Sequence, residues 1–247
     1  RRADEDSIAD GMVAFPAADY TFADFEAEPS VQGRTVRLEA FLLDATEVTN
    51  AEYHAFMQAT GREPPKFWRL FVEDIEALLR DHPDRPVVSV TWGEAVAYAE
   101  WRGKRLPTLA EWHRAAGGLE NRPFPWTADP DAPVLGNVAH PRRPGDGRQR
   151  WLNYLDFTDA VTSHPEARTP EGIHHLFGNV WEWTESMAAS LGANGELRPL
   201  AYDRFVVGAG WDALAREENM RTPWIWGTGL NYTVESIGFR CARSAAP

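Results

Sequence analysis

The chain has 247 residues, 43% of them hydrophobic and 25% charged, a balance that belongs to a folded globular protein of one large domain or two small ones. No apolar run nears the ~20 residues of a membrane-spanning helix, and a formal net charge of −12 with basic residues gathered only in 141–150 argues against nucleic-acid phosphate as a partner. A single cysteine, Cys241, excludes an internal disulfide framework and a cysteine-based zinc site.

Residues 1–10 read as a tail. Residues 11–16 (GMVAFP) and 34–44 (RTVRLEAFLLD) read as strands, the second through alternation of Val36, Leu38 and Ala40 with Arg37 and Glu39. Thr49, followed at three residues by Glu52, is a capping box; Tyr53, Phe56 and Met57 give the helix behind it an apolar face that Gly61 ends. The same pairing recurs as Thr91 with Glu94, before a helix through Tyr98 and Trp101 to Gly103, and as Thr108 with Glu111, directly after Pro107. Between the first two helices, residues 66–81 space Phe67, Leu70, Phe71, Ile75, Leu78 and Leu79 for one further amphipathic helix. From 122 to 169, proline, glycine and aspartate interrupt every periodic run, which predicts a long irregular region, too aromatic for a linker. Residues 204–208 (RFVVG) and 237–243 (IGFRCAR) read as late strands, and no Pro/Ser linker divides residues 11–247, which are read as one domain.

The chemistry-bearing side chains mostly favour structural roles. His174 and His175 are adjacent, so on a strand they face opposite ways; no HExxH or CxxC accompanies them, and His113, His140 and His164 have no partner recognisable from spacing. Trp181 and Trp183 lie on one side of an extended segment with Glu182 on the other, an arrangement read as core packing. Alternation puts Cys241 on the face of Phe239, the buried one.

Five blocks carry a family resemblance: residues 44–50 (DATEVTN), 87–99 (VVSVTWGEAVAYA), 105–117 (RLPTLAEWHRAAG), 178–184 (GNVWEWT) and 237–243 (IGFRCAR). In this order they resemble the formylglycine-generating enzyme, or sulfatase-modifying-factor, family. The resemblance implies an α+β, C-type-lectin-like fold with a small twisted antiparallel sheet, flanking helices and much irregular structure. It also implies an oxidation of a substrate cysteine that uses copper and two thiols following a Gly-rich turn. The matching turn is 208–211 (GAGW), and the thiol positions align with Ala213 and Glu218, neither of which can hold Cu(I), an ion that demands soft thiolates. No copper is therefore expected, and the histidine-bearing helical domain of the family's iron-dependent sulfoxide synthases is absent from this sequence. Structural Ca²⁺ is implied at Asn137, the Val138 carbonyl, Asp156 and the Phe157 carbonyl. A second calcium position would use Glu182, with His175 replacing the family's asparagine, and an imidazole is a poor calcium ligand.

Residues 212–236 mix aromatic and charged side chains without helical or strand period, and a loop of that length is expected to be functional. Trp211, Asp212, Leu214, Arg216, Glu217, Asn219, Arg221, Trp224, Trp226, Asn231 and Tyr232 are its candidate ligand-binding residues, tryptophan, tyrosine and arginine being the types that dominate binding hot spots. The expected function is a non-catalytic recognition module taking a protein or small-molecule ligand on this C-terminal surface, as in variable proteins of diversity-generating retroelements or sensor domains fused to bacterial kinases. An oxidoreductase of the same family with another metal or cofactor is the alternative. The chain is expected to be soluble, with bacterial cytoplasm and export both open, and its start at Arg1 suits a processed product or a piece of something longer.

Overall fold

A computed structural model describes residues 11–23, 30–138, 140, 146–191, 196–213 and 224–245. Strand β1 (Met12–Phe15) pairs antiparallel with β4 (Phe41–Asp44), which pairs in turn with β9 (Ala242–Ser244) at the other end of the chain. Strands β2 (Ala18–Thr21) and β3 (Thr35–Leu38) form a separate two-stranded ribbon. The third sheet has the order β7-β6-β5-β8, from β5 (Trp181–Leu191), β6 (Leu197–Gly208), β7 (Trp224–Gly229) and β8 (Ile237–Gly238), with β5 and β8 parallel and the rest antiparallel.

The three capping boxes form as the sequence predicts, and the helices they open span Asn50–Thr60, Trp92–Trp101 and Leu109–Gly117. In each, the threonine hydroxyl accepts from the glutamate N–H at 3.2 Å, and the glutamate carboxylate accepts from the threonine N–H at 2.7–2.9 Å. Two orphan donors per helix are thereby satisfied within four residues, without help from the rest of the fold.

Elsewhere tertiary context overrides local pattern. The strand read over 34–44 is two strands: β3 alternates in exposure and pairs only with β2, whereas Phe41, Leu42 and Leu43 are all buried, as befits the central strand of its sheet. The helix read over 66–81 is also two, Lys66–Phe71 and Ile75–Asp81, because Asp74 leaves the helix to cap the second, its carboxylate accepting from Ala77 N at 3.1 Å. The irregular region contains a helix the sequence reading missed, Gly147–Phe157, capped by Asp146 and burying Trp151 and Tyr154. The closing segment 237–243 is β8 and β9 joined by a buried crossing at Phe239, Arg240 and Cys241.

Two hydrophobic clusters lie on opposite faces of the third sheet. Trp183 and Val206 pack with the helices of residues 50–101, while Phe205 and Val207 pack against Trp112 and the first sheet. Among the described residues no helix is long and apolar enough to cross a membrane.

Candidate ligand-binding surface

Beneath the surface lies a fully buried ion pair. Glu182 accepts from Arg240 through both carboxylate oxygens, at 2.7 Å from Nη2 and 2.8 Å from Nε, and from Trp112 Nε1 at 2.8 Å. Arg240 also donates to the carbonyls of Asp44 and His174, at 3.1 and 2.8 Å. Three of the five sequence blocks, residues 44–50, 178–184 and 237–243, are thus tied at one point, joined by Trp112 from a fourth. Glu182 does face away from Trp183, but into a second core rather than to solvent.

Glu47 is buried beside this pair, and burial pushes its carboxyl up to about 8, against the pull of Arg240 and with Glu182 adding to the rise. Its Oε1 accepts from Asn179 Nδ2 at 3.0 Å. Asn179 Oδ1 in turn accepts from Asp159 N at 2.9 Å and from Asn137 Nδ2 at 3.2 Å. Asn137 also donates to the Phe157 carbonyl at 2.8 Å, and its Oδ1 accepts from His140 Nε2 at 2.7 Å, the imidazole lying stacked on the Phe157 ring. Gly178 makes this approach possible: its φ is +104°, and a Cβ there would fall 2.6 Å from Asn137 N. Of the expected calcium ligands, Asn137 and the Phe157 carbonyl therefore meet, Asp156 is exposed, and both oxygens of Glu182 are taken up by Arg240 and Trp112. Among the described residues no group of three or more His, Cys, Asp or Glu side chains is arranged to hold a metal ion.

The segment after the 208–211 turn carries the candidate surface. Trp211, expected at the edge of that surface, is instead fully buried against Phe157, with ring centroids 5.3 Å apart, and its backbone is held by Asn179 and His140. Gly210 explains the inward course of the chain, since a Cβ there would lie 2.6 Å from Trp181 Cδ1 and 2.8 Å from Asp212 Oδ1. Asp212 is half-buried, its carboxylate accepting from Trp181 Nε1 at 3.3 Å and Ser236 Oγ at 3.1 Å. Ala213, one aligned copper position, is a buried methyl, while Glu218, the other, lies outside the described residues, as do Leu214, Arg216, Glu217, Asn219 and Arg221. Cys241 is fully buried, and burial pushes its thiol well up, with Asp44 adding to the rise. Neither aligned position carries the soft thiolate that Cu(I) demands.

The stretch read as non-periodic contains β7, paired residue for residue with β6 from Asp203↔Gly229 to Gly208↔Trp224. Its signal was legible in the β-favouring run Trp224, Ile225, Trp226, obscured by the glycines that follow. Trp226 is half-buried, meeting Trp181 edge to face at 6.0 Å and Tyr232 at 5.6 Å; Tyr232 and Asn231 are exposed. Trp224 is described only by its backbone pairing with Gly208, so of the four aromatics expected on this surface, Trp226 and Tyr232 are adjacent and accessible and Trp211 is core. Spacing did not reveal that His140 hydrogen-bonds to Asn137 or that His164 hydrogen-bonds to Asp159, the latter at 2.9 Å.

Comparison with known proteins agrees with this architecture. The sulfatase-modifying factor enzyme 1-like domain matches residues 2–245. The formylglycine-generating enzyme of Thermomonospora curvata is 32% identical over 229 residues, which are 71% of this chain and 71% of that protein. Inactive C-alpha-formylglycine-generating enzyme 2 of Bos taurus is 34% identical over 254 residues, covering 86% of this chain and 80% of that one. Among solved structures, Treponema denticola variable protein 1 superposes with a TM-score of 0.65 at 19% identity over 94% of each chain, a likeness of fold.

Proposed function

The chain belongs to the sulfatase-modifying factor enzyme 1-like family, with its C-type-lectin-like α+β fold, and from that premise we propose that it is a non-catalytic recognition module whose C-terminal surface takes a protein or small-molecule ligand. The observation that carries this reading is the chemistry at the aligned copper positions. Ala213 offers a buried methyl, Glu218 a hard carboxylate, and the one thiol of the chain, Cys241, is sealed in the closing segment. Cu(I) binds soft sulfur donors, so oxygen activation by a copper thiolate pair has no ligand set here. A relative of 34% identity carries a name that calls it inactive, which is consistent with loss of the family's chemistry on a retained scaffold.

Competition for Cu(I) with a sulfur-free chelator tests the reading. The protein is expected to surrender the ion wholly; retention of one equivalent would argue for the oxidoreductase alternative.

Calcium belongs to the same proposal as a structural ion. The Asn137 amide lies within hydrogen-bond distance of two oxygens, Phe157 O and Asn179 Oδ1, so turning it over would set three hard donors around one point, the kind Ca²⁺ takes. Calcium is then expected to raise the melting temperature by mass action and a chelator to lower it, both effects vanishing in Asn137→Ala. An unchanged melting temperature in wild-type protein would mean that the His140 hydrogen bond holds this locus without an ion.

A further inference from the structure

Three rings meet at the outer edge of the face that carries Trp226. Trp181 stands at 85° to Trp226, and Trp226 at 86° to Tyr232. Trp181 and Trp226 are half-buried and Tyr232 is 43% exposed, so part of this aromatic surface is open to solvent. Perpendicular rings give a ligand both a floor and a wall, and the face of an aromatic ring is electron-rich.

The polar group set into this cluster has the same sign. The Asp212 carboxylate is held beside Trp181 by the indole N–H and on its far oxygen by Ser236 Oγ. These two hydrogen bonds fix where the carboxylate sits. The whole chain adds a net charge of −12, which repels anions and draws cations toward the surface.

The same sheet face already accommodates a cation. Trp226 pairs with Val206 and Thr228 with Arg204, so Arg204 and Trp226 share one face. The Arg204 guanidinium carbon lies 4.6 Å from the centroid of the Trp92 ring, within cation-π distance. A hydrated metal ion would want several oxygen donors, and Asp212 supplies one carboxylate. A weakly hydrated organic cation gains instead from ring faces and a single fixed carboxylate.

We propose that the Trp181–Trp226–Tyr232 cluster, with Asp212, binds the quaternary ammonium head of an organic cation. This rests on the recognition reading above and names the ligand chemistry of that surface.

The test titrates the protein with tetramethylammonium, choline and a trimethyllysine-bearing peptide, each against its neutral tert-butyl isostere, by calorimetry and by the indole N–H signals of the tryptophans. The charged head is expected to bind about tenfold more tightly than the isostere and to weaken with salt. Asp212→Asn and Tyr232→Ala are each expected to cost about tenfold in affinity, and Tyr232, being exposed, should leave the melting temperature in place. A preference for choline or for the peptide tells a free ligand from a chain-borne one. Equal binding of cation and isostere, or no binding of either, overturns the proposal. Neither result touches the recognition reading, which stands or falls on copper retention and turnover.

Discussion

Replacing Arg240 by alanine is expected to cost the protein about 3–5 kcal/mol, a large share of the roughly 5–15 kcal/mol that holds a domain together. The reason lies in what remains rather than in what is lost. Glu182 keeps its place in a fully buried site, where two of its three hydrogen bonds came from the guanidinium and only the Trp112 indole is left. The carbonyls of Asp44 and His174 lose their donor at the same time. Arg240→Lys keeps a charge but not the planar fork, and an intermediate loss is expected. A double replacement, Arg240→Met with Glu182→Leu, removes both charges and is expected to recover much of the stability, since buried pairs contribute little net energy against apolar isosteres. Denaturant midpoints at unchanged slope would read these differences. If Arg240→Ala and the double variant were equally unstable, uncompensated charge would not be the cause.

The second large effect is acid sensitivity. Burial pushes the imidazoles of His113 and His175 down to about 3, while an unfolded chain titrates histidine near the usual ~6.5. Between those values the unfolded state binds a proton that the native state refuses, so stability falls as pH falls, by about 1.4 kcal/mol per pH unit for each histidine. At pH 4 the two together are expected to remove several kcal/mol. Glu47 works in the opposite sense: its carboxyl is held up to about 8, so its contribution is complete below the unfolded carboxylate range and is lost as pH rises toward 8. His175→Asn is the informative variant, because His175 sits at φ 54°, a backbone region that asparagine tolerates. Its midpoint should depend less on pH below 6.5 than that of the wild type, with Glu47→Gln flattening the alkaline side instead. Parallel curves for wild type and His175→Asn would rule out the imidazole as the source.

What the sequence carried was whatever is settled within a few residues. Each capping box pairs a hydroxyl and a carboxylate three positions apart, and no distant contact is needed to form it. Ends of elements that depend on distant partners were not legible: the break between β3 and β4 exists because one pairs with β2 and the other with β1 and β9. Arg240 and Glu182 illustrate the same limit at the site. Alternation put Glu182 on the side of its strand away from Trp181 and Trp183, but that it pairs there with Arg240, both fully buried, depends on contacts 58 residues apart. Trp211 was misjudged for a related reason. Its burial follows from the close approach of Trp181 to Gly210 and from backbone bonds to Asn179 and His140, all of them contacts across the fold. Trp226 and Tyr232 do lie side by side with part of their surface open to solvent, as expected of aromatic residues in a chemically mixed segment of that length.

Whether this scaffold recognises rather than transforms is decided most directly by mass spectrometry of a CxPxR peptide incubated with the protein, Cu(I) and oxygen. The peptide cysteine is expected to survive unconverted, because Ala213 and Glu218 stand where copper would need thiolates. Catalytic conversion of that cysteine to formylglycine would contradict the account at its centre.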